Sequence, residues 1–477
     1  MKIEPDRKLK NRFRITLAAA LIVNMTSGAH DGATSVFAQT KPKNSSDTES
    51  IKDLLKQSPE ARTLWDEIET LTRRGDLSGA LTKANILVKK YPTKGAVYFK
   101  RAQVFISMSK PELGMKDIKK SMELGPVTAA SYAVRSRLNY DLKNFKEALS
   151  DIDTALRLNP QKKNALAWRA SVLTAMGRSQ EAQTAANGAA NDNPESLKLL
   201  MKAARLNRKS NPKLAIEYLN RAIKIAPKNS EPWSMLAEMR LKSKDYTQAA
   251  VAFDKAIKLA PTNDELYYGR ARLKKATLMA QDAIKDCDRA ILINKTKASY
   301  YRLRSELLAQ IGKFEEALSD ANKAVGIDPH NLENRSAKAE VLMQTGNLNE
   351  CIKECSLGLA QSPDFVPLLI NRADAYEKLN KKALALKDFK RASELSKISF
   401  RNLVRKGTLE SELGFNQEAI KTYTIAISTA ESTAKSRAYI ERAAIYDKLG
   451  KTDEAKADRR QAKELSSGFM DDVLPAK

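Results

Sequence analysis

Histidine is nearly missing from this chain. Only His30 and His330 occur in 477 residues, and histidine is the side chain most used as a general base, proton shuttle or metal ligand near neutral pH. Cysteine is almost as scarce. Cys287, Cys351 and Cys355 are odd in number and hold no CxxC motif, so neither a disulfide framework nor a zinc module is encoded. No GxGxxG or GxxxxGK phosphate loop, HExxH pair or calcium loop is present. Aromatics make up 6% and glycines number 18, a composition that favours helices packed through alanine and leucine over sheets. The apolar run Ile15 to Val23 is nine residues long, against the roughly 20 needed to cross a bilayer. These absences leave no residues for catalysis, a cofactor or a metal, and no integral membrane segment is expected in the mature chain.

Basic residues are abundant. Lys and Arg total 83 against 57 Asp and Glu, a formal charge of +26, which suits anionic partners without saying anything about fold. Part of it lies in the first forty residues. Arg7, Lys8, Lys10, Arg12 and Arg14 precede Ile15 to Val23, and small and polar residues follow, the order of a secretory signal. Val36-Phe37-Ala38 offers cleavage before Gln39, and Ser27-Gly28-Ala29 is a competing site. Residues 1–38 hold no cysteine for a lipid anchor and no twin-arginine pair. Residues 1–38 are therefore expected to be removed and the protein exported, periplasmic or secreted. The alternative is a basic leader on a cytoplasmic protein. Cleavage after Ala38 takes away six basic and three acidic residues, so +26 becomes +23.

A polar linker, residues 39–60, leads into a periodic array. Pro92, Pro126, Pro160, Pro194, Pro227 and Pro261 fall at steps of 34, 34, 34, 33 and 34, and Pro329 and Pro363 rejoin the register. Proline cannot continue a helix, so each reads as a helix stop. Small residues keep the same beat. Ala148, Ala182, Ala215, Ala249, Ala283 and Ala317 form one column, Ala155 to Ala462 a second seven places later, and Ala170, Ala203, Ala237, Ala271 and Ser305 a third, twelve before the first. Seven residues is two helical turns, so the first two columns share a face of one helix. The third belongs to a preceding helix that crosses it closely, where only small side chains fit. Lys295, Lys397 and Glu431 replace the stop proline, and the helices there are expected to run on or fray. At a second-helix position held elsewhere by Phe253, Phe389 or Tyr423 stands Arg459, flanked by Asp458 and Arg460, which suits a solvated terminal helix.

The unit near Ser230 shows the pattern most fully, with Trp233, Leu236, Ala237, Tyr246, Ala249, Phe253, Ala256 and Pro261. It resembles the tetratricopeptide repeat, a helix–turn–helix of 34 residues. The resemblance implies an all-α right-handed superhelix of about twelve repeats over residues 61–466, with a tail at 467–477. It also implies a scaffold whose first helices line a groove for peptide or protein partners. In that geometry Tyr268, Arg272 and Arg302 face inward, among acids such as Glu306 and Glu340. Asn371, Arg401 and Arg405 match part of the two-carboxylate clamp of co-chaperone members, although Ser336 and Glu340 stand where that clamp carries Lys and Asn. The competing partner is an anionic polymer, polysaccharide or nucleic acid, held by the basic surface. Cys351 and Cys355 are four apart on one helix, too far for an unstrained disulfide, and sit in columns of apolar packing.

Overall fold

A computed structural model describes residues 51–160, 164–429 and 432–471. The expected leader, with His30, and residues 472–477 of the expected tail lie outside the described residues. Within them the chain is all-α, with 25 helices and no strand. They form two compact units, one ending at Met239 and the other beginning at Arg240.

The array begins earlier than the proline register indicates. Residues 39–60 are expected to be linker, yet Ile51–Gln57 is helical and a second helix starts at Pro59. Leu54 belongs to the same buried cluster as Ala61, Leu64 and Trp65. Ser58 caps the second helix, its Oγ accepting the Ala61 N–H at 3.1 Å, with proline at the first helical position, where the missing N–H costs nothing. The polar composition concealed a cap. At the other end Thr452–Asp471 runs into the expected tail.

After Ile51–Gln57 the helices follow as twelve consecutive pairs in the chain, of which Ala298–Gln310 with Phe314–Ile327 is representative. Each of the three small columns is buried. Ala271, Ala283, Ala290, Ala317 and Ser305 are all fully enclosed, and a methyl group on Gly407 would meet the Tyr423 ring at 3.0 Å. Flanking leucines and aromatics then fill the space beside each crossing, as with Tyr300 and Leu307.

The two helices of a pair are joined by a turn whose central residue has positive φ. Gly75, Ser109, Lys143 and Gly177 hold this place at intervals of 34, and Lys244, Leu278 and Gly312 resume it. The following N–H then reaches back to the first helix, as Lys313 does to the Leu308 carbonyl at 2.9 Å. The turn after Leu197–Asn207 has no such residue among those described. That turn is where the 33-residue step loses its residue. The small column in this first helix accordingly keeps the 34 spacing at Ala204, one place after the Ala203 expected, and both are fully buried.

Helices lacking the stop proline neither run on nor fray at two of the three sites. Ala280–Ile293 ends before Lys295, where the Asn294 side chain accepts from Thr296 N–H at 3.1 Å and binds Asp264 at 2.8 Å. Lys382–Leu395 ends at Ser396, which is extended. Glu431 lies outside the described residues. The last helix is only partly solvated: Arg459 is exposed beside Asp447, whereas Asp458 is buried against Arg442.

That buried pair is one rung of a ladder. An arginine on the first helix forks onto an aspartate sixteen residues later on the second, as Arg101–Asp117, Arg135–Asp151, Arg270–Asp286, Arg304–Asp320, Arg372–Asp388 and Arg442–Asp458. The aspartate side chains are 4–9% exposed. Arg270 and Arg304 also reach back sixteen residues, to Asp254 and Asp288, and tie consecutive pairs together. The acidic column is broken at Lys83, Ala185, Tyr218, Ala252 and Thr422.

Two outcomes test these features. Leu278 combines φ of +61° with 80% exposure, a left-handed residue with a β-carbon and no packing to offset it, so Leu278→Gly should stabilise by about 1 kcal/mol in denaturant melts. Arg304→Leu, which strands the Asp320 carboxylate, should cost about 3–5 kcal/mol, and adding Asp320→Leu should restore most of that loss.

Candidate functional site

Successive first helices touch one another and form a continuous face in each unit. The contacts that define it span 31–35 residues: Lys100 to Glu69, Lys202 to Ser171, Asn371 to Ser336, and Arg405 to Asp374. This is where the inward residues of the sequence reading fall.

In the unit beginning at Arg240, the six candidates lie in four groups. Tyr268 packs on Tyr300 with ring centres 4.9 Å apart, and the Arg272 guanidinium stands 5.8 Å over Tyr268. Arg302 binds Glu306 at 3.2 Å, and Lys275 takes the other Glu306 oxygen. The Arg302 Nε is buried without a hydrogen-bond partner. Asn371 donates to the carbonyl and the hydroxyl of Ser336, both at 3.2 Å. Crowding by protein, then Glu306, raises the Glu340 carboxyl above its ordinary range, opposed by Asn371 and Ser336.

Arg405 is already occupied. Its fork binds Asp374 and Glu377, the latter at 2.6–2.9 Å, so the guanidinium that would grip a ligand carboxylate holds two internal ones. Arg401 is exposed and adds positive field at Asp374. The partial clamp is thus a closed ion network. Arg302 and Arg405 are thus paired with acids within the protein, and Arg401 stands exposed beside them.

The unit ending at Met239 is organised differently. Near its start Lys100 is 3% exposed, 2.7 Å from Glu69 and 4.3 Å over the Trp65 ring. Burial pushes its ammonium down to about 8 although Glu69 opposes the shift. Further along, Arg137 lies 4.7 Å over the Trp168 ring and 3.2 Å from Asp141. Trp168 is 5% exposed, donates to Ser136 Oγ at 2.9 Å, and meets Tyr140 edge-on at 5.0 Å. Lys198 and Lys202, one turn apart on Leu197–Asn207, complete the group. Lys202 donates to the Ala167 carbonyl and Ser171 Oγ. Burial and Lys198 push its ammonium down to about 8, and burial and Arg137 lower Lys198. No carboxylate among the described residues supports either lysine.

The sequence reading missed this group because it counted back from the stop proline. The residue missing from the following turn shifts that count by one, which hides the equivalence of Lys202 and Asn371. Both reach a carbonyl thirty-five residues earlier. The 33-residue step from Pro194 to Pro227 was the available clue.

His330 is exposed in a turn, and no cluster of metal-ligating side chains occurs among the described residues. Cys287, Cys351 and Cys355 are buried and free, and burial raises the Cys287 thiol to about 12. A thiol held protonated is a poor nucleophile. No described helix is long and apolar enough to cross a membrane.

Comparison with known families agrees with the helical pairs. A profile of the Psidin N-terminal TPR repeats region matches residues 139–269, and tetratricopeptide-repeat profiles match 308–369, 366–398 and 436–468. Among solved structures, yeast Tom70 is 18% identical and aligns over 84% of this chain and 96% of its own, with a TM-score of 0.42. The Cut9–Hcn1 hetero-tetramer of the APC/C gives 11%, 87%, 95% and 0.43. YrrB, described as a TPR protein with an unusual peptide-binding site, gives 19%, 38%, 93% and 0.33. With the 34-residue period, the buried small columns and these profile matches in agreement, the chain belongs to the tetratricopeptide-repeat proteins.

Proposed function

We propose that this protein is a non-enzymatic scaffold that holds peptide or protein partners against the face formed by its first helices, as part of an exported assembly in the envelope or outside the cell. The observation that carries the reading is the face itself. Consecutive first helices present half-buried polar and aromatic side chains in register, from Ser171 to Lys202 in one unit and from Tyr268 through Arg302 to Arg405 in the other. Such a surface offers hydrogen bonds and charge to an extended segment without a reacting group. Export rests on the basic residues before Ile15 and the small residues up to Ala38. Binding of an anionic polymer is the second reading, favoured by the net charge of +26. Pairs such as Lys83–Glu67 and Arg391–Asp364 intersperse acids among the cations, which breaks up the continuous positive surface a polyanion would follow.

A photo-crosslinking amino acid at Tyr268 or Arg401, on first helices, should give discrete polypeptide adducts in the native cells. The same group at Lys255 or Lys387, exposed on second helices, should give few. Equal yields at all four positions, or none, would overturn the assignment of the face. N-terminal sequencing of the native protein checks export: a start at Gln39 or His30 supports it, and retention of the intact leader in the cytoplasm defeats it.

A further inference from the structure

The turn between Asp264–Ala276 and Ala280–Ile293 departs from its counterparts. At the positive-φ position the other described turns carry glycine, serine, lysine or asparagine, whereas this one carries Leu278. Met279 follows it, and the two side chains are 80% and 50% exposed. A leucine gains nothing from a left-handed backbone, and at that exposure it gains nothing from packing within the chain. Two adjacent large apolar side chains held out in water mark a contact surface when more apolar surface lies beside them.

Such surface adjoins the turn. A recess of about 800 Å³ lies between the second helices Ala280–Ile293 and Phe314–Ile327, over the first helix Ala298–Gln310. Ile284, Leu308 and Ile311 give it an apolar lining. Glu315 and Lys323, also around the recess, are exposed. Lys323 stands over the Tyr301 ring at 5.8 Å, and neither it nor Glu315 has an oppositely charged partner among the described residues. Both are on Phe314–Ile327, separated by about 12 Å along the helix axis.

We propose that this surface joins two copies of the chain in a two-fold dimer, the Leu278–Met279 tip of each copy seated in the recess of the other. A two-fold contact requires one surface to be complementary to itself. An apolar protrusion beside an apolar recess meets that requirement. The charges meet it too. When two copies of Phe314–Ile327 run antiparallel, Glu315 of one copy faces Lys323 of the partner subunit, and the reverse, so each gains the counter-charge it lacks. A bilayer with anionic headgroups is the poorer occupant, because Glu315 and Glu316 stand beside the apolar residues and repel it. The surface is built from second helices and turns, with first-helix residues only in its floor. The dimer therefore leaves the first-helix face of each copy open, and the inference goes beyond the scaffold reading without depending on what that face binds.

Sedimentation velocity of the purified protein over a hundredfold range of concentration tests this. Wild type should pass from monomer to dimer. Leu278→Gly with Met279→Asn, which copies the Gly346–Asn347 turn, should weaken the dimer at least tenfold, while the Tm of the dilute monomer stays at or above that of wild type. Ser319→Trp, at an exposed position of the recess, should weaken it as well. Glu315→Lys and Lys323→Glu should each lower the affinity, and the two together should restore it. Glu315→Lys with Lys387→Glu, which restores only the net charge, should not. A wild type that stays monomeric throughout overturns the proposal, as does a dimer that the turn variant leaves intact or a paired reversal that fails to restore affinity. If a monomeric wild type instead cosediments with phosphatidylglycerol vesicles and the turn variant does not, the surface belongs to a lipid and the dimer falls. Crosslinking from Tyr268 and Arg401 is read separately, so loss of the dimer leaves the scaffold standing.

Discussion

Two helices can cross closely only where neither carries a bulky side chain, and every other feature of this chain follows from keeping that crossing once per repeat. Alanine, serine and glycine at the crossing allow the approach, and Tyr300 or Leu307 beside it close the gap. The approach in turn fixes the length of each helix and the geometry of the turn between them. Because the crossing recurs at 34 residues, the faces of successive helices stay in register. That register makes an arginine on one helix meet an aspartate sixteen places later again and again, and it aligns the first helices into a face. Packing sets the frame, and electrostatics is written onto it.

The frame was legible because it rests on side-chain size and on proline. Ala148, Ala182 and Ala249 can be read as a column without knowing anything about partners, and Pro160 or Pro261 marks where a helix must stop. What escaped the reading depends on hydrogen bonds and counting errors of a single residue. Ser58 looks like linker composition until its hydroxyl is seen capping a helix. Asn294 stops a helix without proline by using its amide. The arginine–aspartate rungs share the same period as the alanines, but charged residues at regular spacing also occur on solvated faces, and only burial distinguishes them. On the candidate face, Tyr268, Arg302 and Arg405 were placed on the right helices. Their occupation by Tyr300, Glu306, Asp374 and Glu377 could not be read, since each partner comes from side-chain conformation or from another repeat.

The two units differ in how one inward cation is held. From Arg240 onward Arg302 and Arg405 are held by acids, and their ion pairs fix side chains at the expense of attraction for anything outside. Before Met239 Lys100 is held by Glu69 in the same manner, whereas Lys202 rests on the neutral oxygens of Ala167 and Ser171. Lys202 stands at the place in its helix that Asn371 and Arg405 hold in theirs, so the same inward position is neutral in one repeat and charged in others.

The positive-φ turn that closes eleven of the twelve described pairs has a further meaning for how the chain reaches this structure. Every pair is completed by bonds reaching back a few residues, such as Lys313 to Leu308, and packs only against its neighbours in sequence within each unit. Nearly all native contacts are therefore local, a topology of low contact order in which ordering can begin in any pair and spread outward. The residue at the turn then acts on folding kinetics as well as on stability: a left-handed glycine such as Gly312 closes its hairpin readily, whereas Leu278 must enter a disfavoured backbone region before its two helices can meet.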